Sequence, residues 1–138
     1  MKISTKLSLA AVLLLVFALA VPAQNPPQKK VDYSKIIGLW ALAVDAGDEY
    51  YYLTLELKLE AEKLGGGLSE QNGMFKDVPL SNTEFDGQTL KCEAKTPTPP
   101  DGAERLIKIE VKLVDNKLEG LITVPDLSVS AGVSGTKK

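Results

Sequence analysis

Few side chains in this sequence could carry out chemistry. The 138 residues include no histidine, which removes the most common general base, the usual zinc ligand and every nucleophile that an imidazole activates. Acidic residues crowd one predicted turn, at Asp45, Asp48 and Glu49. Calcium would need six or more oxygen ligands, so a solvated turn whose side chains bond their own backbone is the better interpretation. We therefore expect no enzyme, no metal and no other cofactor.

The chain has one cysteine, Cys92, so no disulfide can form within it. Leu90, Cys92 and Ala94 alternate along one predicted strand and share one face. We interpret Cys92 as a small buried core residue. A reactive thiol or an intermolecular disulfide is the alternative.

Two further features could contact a partner. Tyr50 and Tyr52 form a predicted outward-facing aromatic pair that could stack on a sugar or a protein, since exposed aromatic residues are enriched at interfaces. Packing on neighbouring threonine and lysine side chains is the more common role of such residues. The stretch from Thr96 to Gly102 contains three prolines. We interpret it as a stiff connecting loop rather than a proline-rich recognition motif.

A repeat with a spacing of 54 residues indicates which elements position these side chains. Leu53-Leu55-Leu57-Leu59 followed by Lys63-Leu64-Gly65-Gly66 corresponds to Ile107-Ile109-Val111-Leu113 followed by Lys117-Leu118-Glu119-Gly120. Each copy alternates apolar and polar residues with period two, which predicts a β-hairpin with one buried and one solvated face. Of the three glycines at 65–67, only Gly66 has a counterpart, Gly120. We expect a bend or bulge there rather than a ligand-binding loop.

The same alternation predicts eight strands in all. Their turns include Asp86-Gly87, a strong hairpin signal, and no connection offers the dozen residues that a parallel crossover needs. The fold class is therefore all-β, an eight-stranded antiparallel up-and-down barrel, with a small β-sandwich as the alternative. Met74–Val78 is either a loop or a short edge segment that Pro79 ends. The predicted strands are Ile37–Asp45, Tyr50–Glu60, Lys63–Gln71, Leu80–Phe85, Thr89–Ala94, Arg105–Val114, Lys117–Val124 and Leu127–Lys137.

Residues 1–23 are typical of a secretory signal peptide. Lys2 and Lys6 precede an apolar run that is shorter than a membrane-spanning helix requires, and Val21-Pro22-Ala23 fits a cleavage site before Gln24. Residues 24–30 read as a disordered leader, and 31–138 as a single barrel domain. We expect a secreted or periplasmic protein with no membrane span after cleavage.

Charge argues against nucleic acid as a partner. The net charge is −2 over the whole chain, and it becomes more negative once the two lysines of the signal peptide are removed. Arg105 is the sole arginine, and no basic cluster could neutralise several phosphates. The sequence defines no oligomeric state.

The stretch Tyr33-Ser34-Lys35-Ile36-Ile37-Gly38-Leu39-Trp40 resembles the start of the lipocalins and the wider calycin group. There a short 3₁₀ turn leads into Gly-x-Trp at the head of the first strand. The resemblance implies that Gly38, Trp40 and Lys137 form a structural signature, with the tryptophan across the closed end of the barrel under a cation from the last strand. The chain departs from lipocalins in its length, in lacking their disulfides and in showing no helix after the barrel. It is also similar to small secreted bacterial barrels with Lys-Leu-x-Gly and Phe-Asp-Gly hairpins.

The expected function is non-enzymatic binding of one small apolar ligand inside the barrel. Eight strands give an interior that side chains can just fill or that can hold one small ligand, and the sequence leaves these two states open. The alternative is a filled barrel that binds proteins or glycans through its surface. We expect Lys137 to be the only inward charge. The predicted ligand-binding residues are Trp40, Tyr51, Leu53, Leu55, Phe85, Ile109, Val111 and Val129. The predicted lining adds Leu42, Val44, Leu57, Leu90, Ile107, Ile122 and Val133.

Overall fold

A computed structural model describes residues 30–138 of the chain. The predicted signal peptide, and the predicted leader up to Gln28 and Lys29, lie outside the described residues. Residues 31–138 form one unit that is all-β. Its elements are a 3₁₀ turn over Tyr33–Lys35, a second over Pro125–Leu127, and the strands β1 Gly38–Asp45, β2 Tyr50–Glu60, β3 Lys63–Glu70, β4 Val78–Pro79, β5 Ser81–Phe85, β6 Thr89–Thr98, β7 Ala103–Val114, β8 Lys117–Val124 and β9 Val129–Lys137.

The strands form one antiparallel sheet that is rolled into a nearly closed barrel. Their order is β4-β3-β2-β1-β9-β8-β7-β6-β5, so consecutive strands are neighbours and β9 returns to pair with β1. This is the up-and-down architecture that the alternating pattern predicts. Because every strand but the short outer ones has a partner on each side, few edges stay unpaired.

The strand count is nine rather than the predicted eight, because the end of the ambiguous segment, Val78–Pro79, forms a short strand of its own. This strand, β4, pairs with β3, whereas β5, which corresponds to the predicted fourth strand, pairs with β6. Between them the Leu80 amide donates to the Gly66 carbonyl at 3.0 Å. Pro79 has no N–H to continue the ladder, and Asn82 has a φ of 48° within the register shift. One bent segment thereby spans the gap between β3 and β6.

Several other boundaries differ from the prediction. Strand β1 begins at Gly38 rather than Ile37, β3 ends at Glu70 rather than Gln71, β5 begins at Ser81 rather than Leu80, and β7 begins at Ala103 rather than Arg105. The strand expected to end at Ala94 continues to Thr98, and the buried side chains of Thr96 and Thr98 continue its alternation. Pro97 interrupts that strand little, because β6 pairs with β5 only as far as Glu93 and beyond it has β7 as its single neighbour, and a proline without an N–H is tolerated in such an edge stretch. Strand β9 begins at Val129 rather than Leu127, since Ser128 adopts a left-handed conformation that ends the preceding 3₁₀ turn.

The 54-residue repeat is a repeat in structure as well. The β2–β3 and β7–β8 hairpins turn at Ala61-Glu62 and Asp115-Asn116, and all four residues have φ between 49° and 65°, as a type I′ turn requires. The two glycines each face a neighbouring backbone. A Cβ at Gly66 would lie 1.7 Å from the Glu56 carbonyl oxygen, and one at Gly120 would lie 2.0 Å from that of Glu110. The register runs through both positions without a shift, so the expected bulge is wrong and close backbone approach is the reason for glycine.

The interior is lined by the inward residues of all the long strands. The predicted lining is buried except at Tyr51, which is half-buried, and at Val129, which is 50% exposed because it begins β9 at the rim of the barrel. Residues that the prediction left out of the lining are Ile36, Leu68, Ala94 and Leu118, all of them buried. Cys92 is buried as predicted, and burial raises the pKa of its thiol from 9.0 to about 12.

Candidate functional site

One end of the barrel is closed by side chains. Trp40 is fully buried there, and its indole N–H donates to the carbonyl of Ile36 at 2.8 Å. Ile36 is also fully buried, directly after the 3₁₀ turn that Asp32 caps by accepting from the Ser34 amide at 2.9 Å. Tyr33 of that turn packs on Phe85, with ring centroids 6.3 Å apart.

A lysine lies over the tryptophan at this end. Trp40 and Lys137 are paired in register between β1 and β9, and the Lys137 Nζ lies 5.6 Å from the centre of the indole ring. This is within cation–π range. Gly38 makes the arrangement possible, since a Cβ there would lie 3.1 Å from Lys137 Cε. The three residues of the expected signature therefore lie together at the closed end.

The opposite end holds a cavity of about 530 Å³, within the range typical of small-molecule sites. Its wall is mainly apolar, with Leu53, Ile107 and Ile122 at its base and Val44 and Ala131 beside them. The remaining lining residues are Ala46, Asp48, Glu49, Tyr51, Glu70, Met74, Phe75, Thr96, Pro97, Thr98, Pro99, Pro100, Val124, Leu127, Val129 and Ser130.

The cavity receives three of the eight predicted ligand-binding residues, Tyr51, Leu53 and Val129. The other five are not in its wall. Trp40 and Phe85 belong to the closed end, and Leu55, Ile109 and Val111 fill the barrel between the two ends, each at most 1% exposed. Period-two alternation defines which way a side chain faces and carries no information on depth, so it could not separate these two groups.

Loops supply much of the cavity that sequence reasoning missed. The ambiguous Met74–Val78 segment brings Met74 and Phe75 to the rim, and the end of β6 brings Pro97, Pro99 and Pro100. Apolar residues in the predicted loops were the available signal. A methionine, a phenylalanine and several prolines outside the predicted strands have no place in the alternating core pattern, which indicates that they pack elsewhere.

Glu70 is a charged residue in the interior that the prediction missed. Its side chain lines the cavity and the residue is 6% exposed. Its Oε2 accepts from the amides of Asn72 at 2.8 Å and Met74 at 3.0 Å, so it orders the loop that carries Met74. Glu70 follows Leu68 on the inward parity of β3, and this was a readable sequence signal. The expectation that Lys137 is the only inward charge is wrong.

Two polar pairs stand at the rim. The Tyr51 hydroxyl donates to Glu49 Oε2 at 2.9 Å, and this hydrogen bond raises the pKa of the phenol above 10.0. Arg105 donates to both carboxylate oxygens of Asp101, at 2.7 and 2.9 Å, and to Thr98 Oγ1 at 2.8 Å. The hydrogen bond from Arg105 holds the pKa of Asp101 well below its usual range. Both pairs order loops around the mouth.

A second surface feature lies on the outside of the barrel. Tyr50 and Tyr52 are 59% and 50% exposed and stack with ring centroids 6.5 Å apart and planes 19° apart. Beside them is an outer groove of about 410 Å³ whose floor is made of small residues of β1 and β9, among them Ala41, Ala43 and Ser134.

Comparison with known proteins gives no relative. No protein-family model, curated protein or solved structure matches this chain. The resemblance to the calycin group therefore stays a prediction. Within residues 30–138, no helix is long and apolar enough to cross a membrane.

Proposed function

We propose that this protein is a non-enzymatic binding protein that holds one small, mainly apolar ligand in the open half of its barrel. The cavity of about 530 Å³ carries the proposal. Burying apolar ligand surface against Leu53, Ile107 and Ile122 would release about 25 cal/mol for each Å² removed from water. The few polar groups at the rim would orient the ligand, as in other small-molecule sites.

The test is titration with an uncharged fluorescent probe such as N-phenyl-1-naphthylamine. We expect saturable enhancement of probe emission and energy transfer from Trp40, which lies inside the same barrel. Trp40 emission alone is a poor reporter, because its indole is fully buried at the closed end and is absent from the cavity wall.

A pair of variants on β9 locates the binding. Ala131→Phe places a large ring in the cavity and should weaken probe binding about tenfold or more, which corresponds to about 1.4 kcal/mol. Ser134→Phe, on the exposed outer position of the same strand, should bind the probe like the parent. A parent protein without saturable binding, or an Ala131→Phe variant that binds equally well, would refute the proposal.

A second candidate function is recognition of a glycan or protein through the outer surface. The stacked, exposed pair Tyr50 and Tyr52 favours it, because aromatic residues are enriched at interfaces. Under this reading, Tyr50→Ala with Tyr52→Ala would abolish retention on an immobilised oligosaccharide array, and Ala131→Phe would leave it unchanged. If the double tyrosine variant is retained as strongly as Ala131→Phe, the surface around Tyr50 and Tyr52 does not bind the oligosaccharide.

We further propose that the protein is exported and that residues 1–23 are removed. The basic start, the short apolar run and Val21-Pro22-Ala23 support this. Mass spectrometry of the protein recovered outside the cytoplasm should give a chain that begins at Gln24. Recovery of the full-length chain there would contradict cleavage.

A further inference from the structure

The loops at the two ends of the barrel differ in charge. The turns at the closed end mix lysines and carboxylates, as in Glu60, Glu62 and Lys63 of the β2–β3 turn. The loops and strand ends around the cavity are strongly acidic: they hold Asp45, Asp48, Glu49, Glu70, Asp77, Asp101, Glu104 and Asp126, against Lys76 and Arg105.

Three of these carboxylates belong to the cavity itself. Asp48, Glu49 and Glu70 are in its wall, and no lysine or arginine is. Glu70 is nearly fully buried and is fixed by two backbone amides. Glu49 is held at the rim by the Tyr51 hydroxyl. Asp48 and Glu49 are exposed and Glu70 is buried, so the wall of this apolar cavity carries negative charge both at its solvent-facing rim and inside it.

The arginine near the rim does not offset this charge. Arg105 gives hydrogen bonds from both terminal guanidinium nitrogens to Asp101 and one to Thr98. Such a bidentate pair occupies the edge formed by the two terminal nitrogens, one of the edges with which a guanidinium binds carboxylates. A carboxylate ligand would lose its water on entering the mouth and would meet three like charges and no free cation in the wall.

From these observations we infer that the ligand is a cationic amphiphile: an apolar body with a protonated amine. The body would occupy the pocket between Leu53, Ile107 and Ile122, and the ammonium group would lie on the side of Asp48, Glu49 and Glu70. Opposite charges a few Å apart near a protein surface attract strongly enough to change affinity by an order of magnitude. The inference rests on the proposed binding function and narrows it to a ligand class.

A matched series of competitors tests the inference. Decylamine, decanol and decanoate share one alkyl chain and differ in headgroup charge, and each is used below its micellar concentration to displace the uncharged naphthylamine probe at pH 7. We expect the amine to displace the probe at a concentration about tenfold or more below that of the carboxylate, with the alcohol between them. Higher salt should narrow the gap between amine and carboxylate.

A charge-neutralising variant and its control locate the effect. Asp48→Asn with Glu49→Gln should narrow severalfold the ratio between the displacing concentrations of amine and carboxylate. Glu104→Gln neutralises an acidic residue of the same end that does not line the cavity, and should leave the ratio as in the parent. Glu70 is left intact because it orders the loop of Met74.

The outcomes separate the two proposals. A parent protein that binds neither the probe nor decanol refutes the binding function, and the ligand class with it. A parent that binds both, but binds decanoate as tightly as decylamine, refutes the cationic ligand and leaves the binding function standing. If Glu104→Gln narrows the amine-to-carboxylate ratio as much as the double variant does, the preference for the amine comes from the overall charge of the protein. That result would refute a cationic site in the cavity wall.

Discussion

The two ends of this barrel are built from the same alternating strands and differ in what fills them. At the closed end one large ring, Trp40, occupies the interior and carries its own hydrogen bond to Ile36. At the open end the inward positions hold smaller side chains, such as Val44, Thr96 and Ala131. With β4 and β5 together occupying one position between β3 and β6, the barrel is eight strands around, just wide enough for side chains to fill. Smaller side chains at one end therefore leave a cavity there. The comparison shows that side-chain volume along the strands, rather than topology, leaves a cavity at one end.

The largest expected effect concerns the ring that fills the closed end. Trp40→Ala removes a fully buried indole and should lower the free energy of unfolding by about 3–5 kcal/mol. Tyr51→Ala, at the half-buried open end, should cost about 1 kcal/mol, the typical value for a point substitution. Denaturant titration of both variants measures the difference. A Trp40→Ala cost below about 1 kcal/mol would mean that the closed end is not packed as described.

The next effect concerns backbone spacing near the closed end. Gly120→Ala would push a methyl group against the Glu110 carbonyl oxygen, 2.0 Å away, and should cost about 2–3 kcal/mol. Gly132→Ala is the control, because a Cβ there meets nothing within 4 Å. It should be neutral or slightly stabilising. Equal unfolding free energies for the two variants would contradict the close approach of β7 and β8.

A third prediction uses Cys92, which lies in the packed part of the barrel opposite Ile109. The folded thiol has a pKa of about 12 against 9.0 in the unfolded chain, so only the unfolded state gains thiolate between these values. The contribution of Cys92 to stability is complete below pH 9 and is lost as the pH rises to about 12, at about 1.4 kcal/mol per pH unit.

Other groups also titrate in this range, so the parent is compared with Cys92→Ala. The difference between their unfolding free energies should change over pH 9–12 and be constant below pH 9. A difference that stays constant throughout would show that the thiol is exposed to water, and that the interior next to it is looser than described.

The smallest effect concerns the rim of the open end. Tyr51→Phe removes the hydrogen bond to Glu49 in a solvent-exposed setting and should lower stability by less than about 0.5 kcal/mol. The same bond raises the pKa of Tyr51, so Glu49→Gln should bring the phenol back toward its ordinary pKa. NMR titration of the tyrosine rings measures this shift. An unchanged pKa of Tyr51 in Glu49→Gln would contradict the hydrogen bond between these two side chains.

The sequence predicted those parts of the fold that depend on which way the side chains of a strand face. Period-two alternation identified the inward face of each long strand, and the repeat identified Gly66 and Gly120 as equivalent. It could not predict where β4 ends and β5 begins, because the exchange of partners at Leu80 depends on the distance between β3 and β6 in the rolled sheet. Local propensity also ended β6 too early, since three prolines signal a loop unless tertiary pairing with β7 extends the strand.

The candidate site was less predictable than the fold for a physical reason. A cavity forms where the side chains of several strands and loops, all at the same level along the barrel axis, are together too small to fill the interior. Tyr51 and Leu53 were predicted because they face inward, and the inward parity of Glu70 could have been read in the same way. Met74 could not be predicted so, because it lies in a loop whose conformation is fixed by the hydrogen bonds that Glu70 accepts.

The junction between β4 and β5 affects how the barrel folds and where it opens locally. β4 pairs with β3 at two positions, while β6 pairs with β7 along its whole length from Thr89 to Thr98. Thr83 of β5 also has a buried hydroxyl with no hydrogen-bond partner among the described residues. This seam has the fewest paired residues around the barrel, so we expect the ribbon from β6 through β9 and β1 to β3 to assemble first and the barrel to close last. Native-state hydrogen exchange should then report sub-global opening at the amides of Leu68 and Leu80 before the rest of the sheet unfolds.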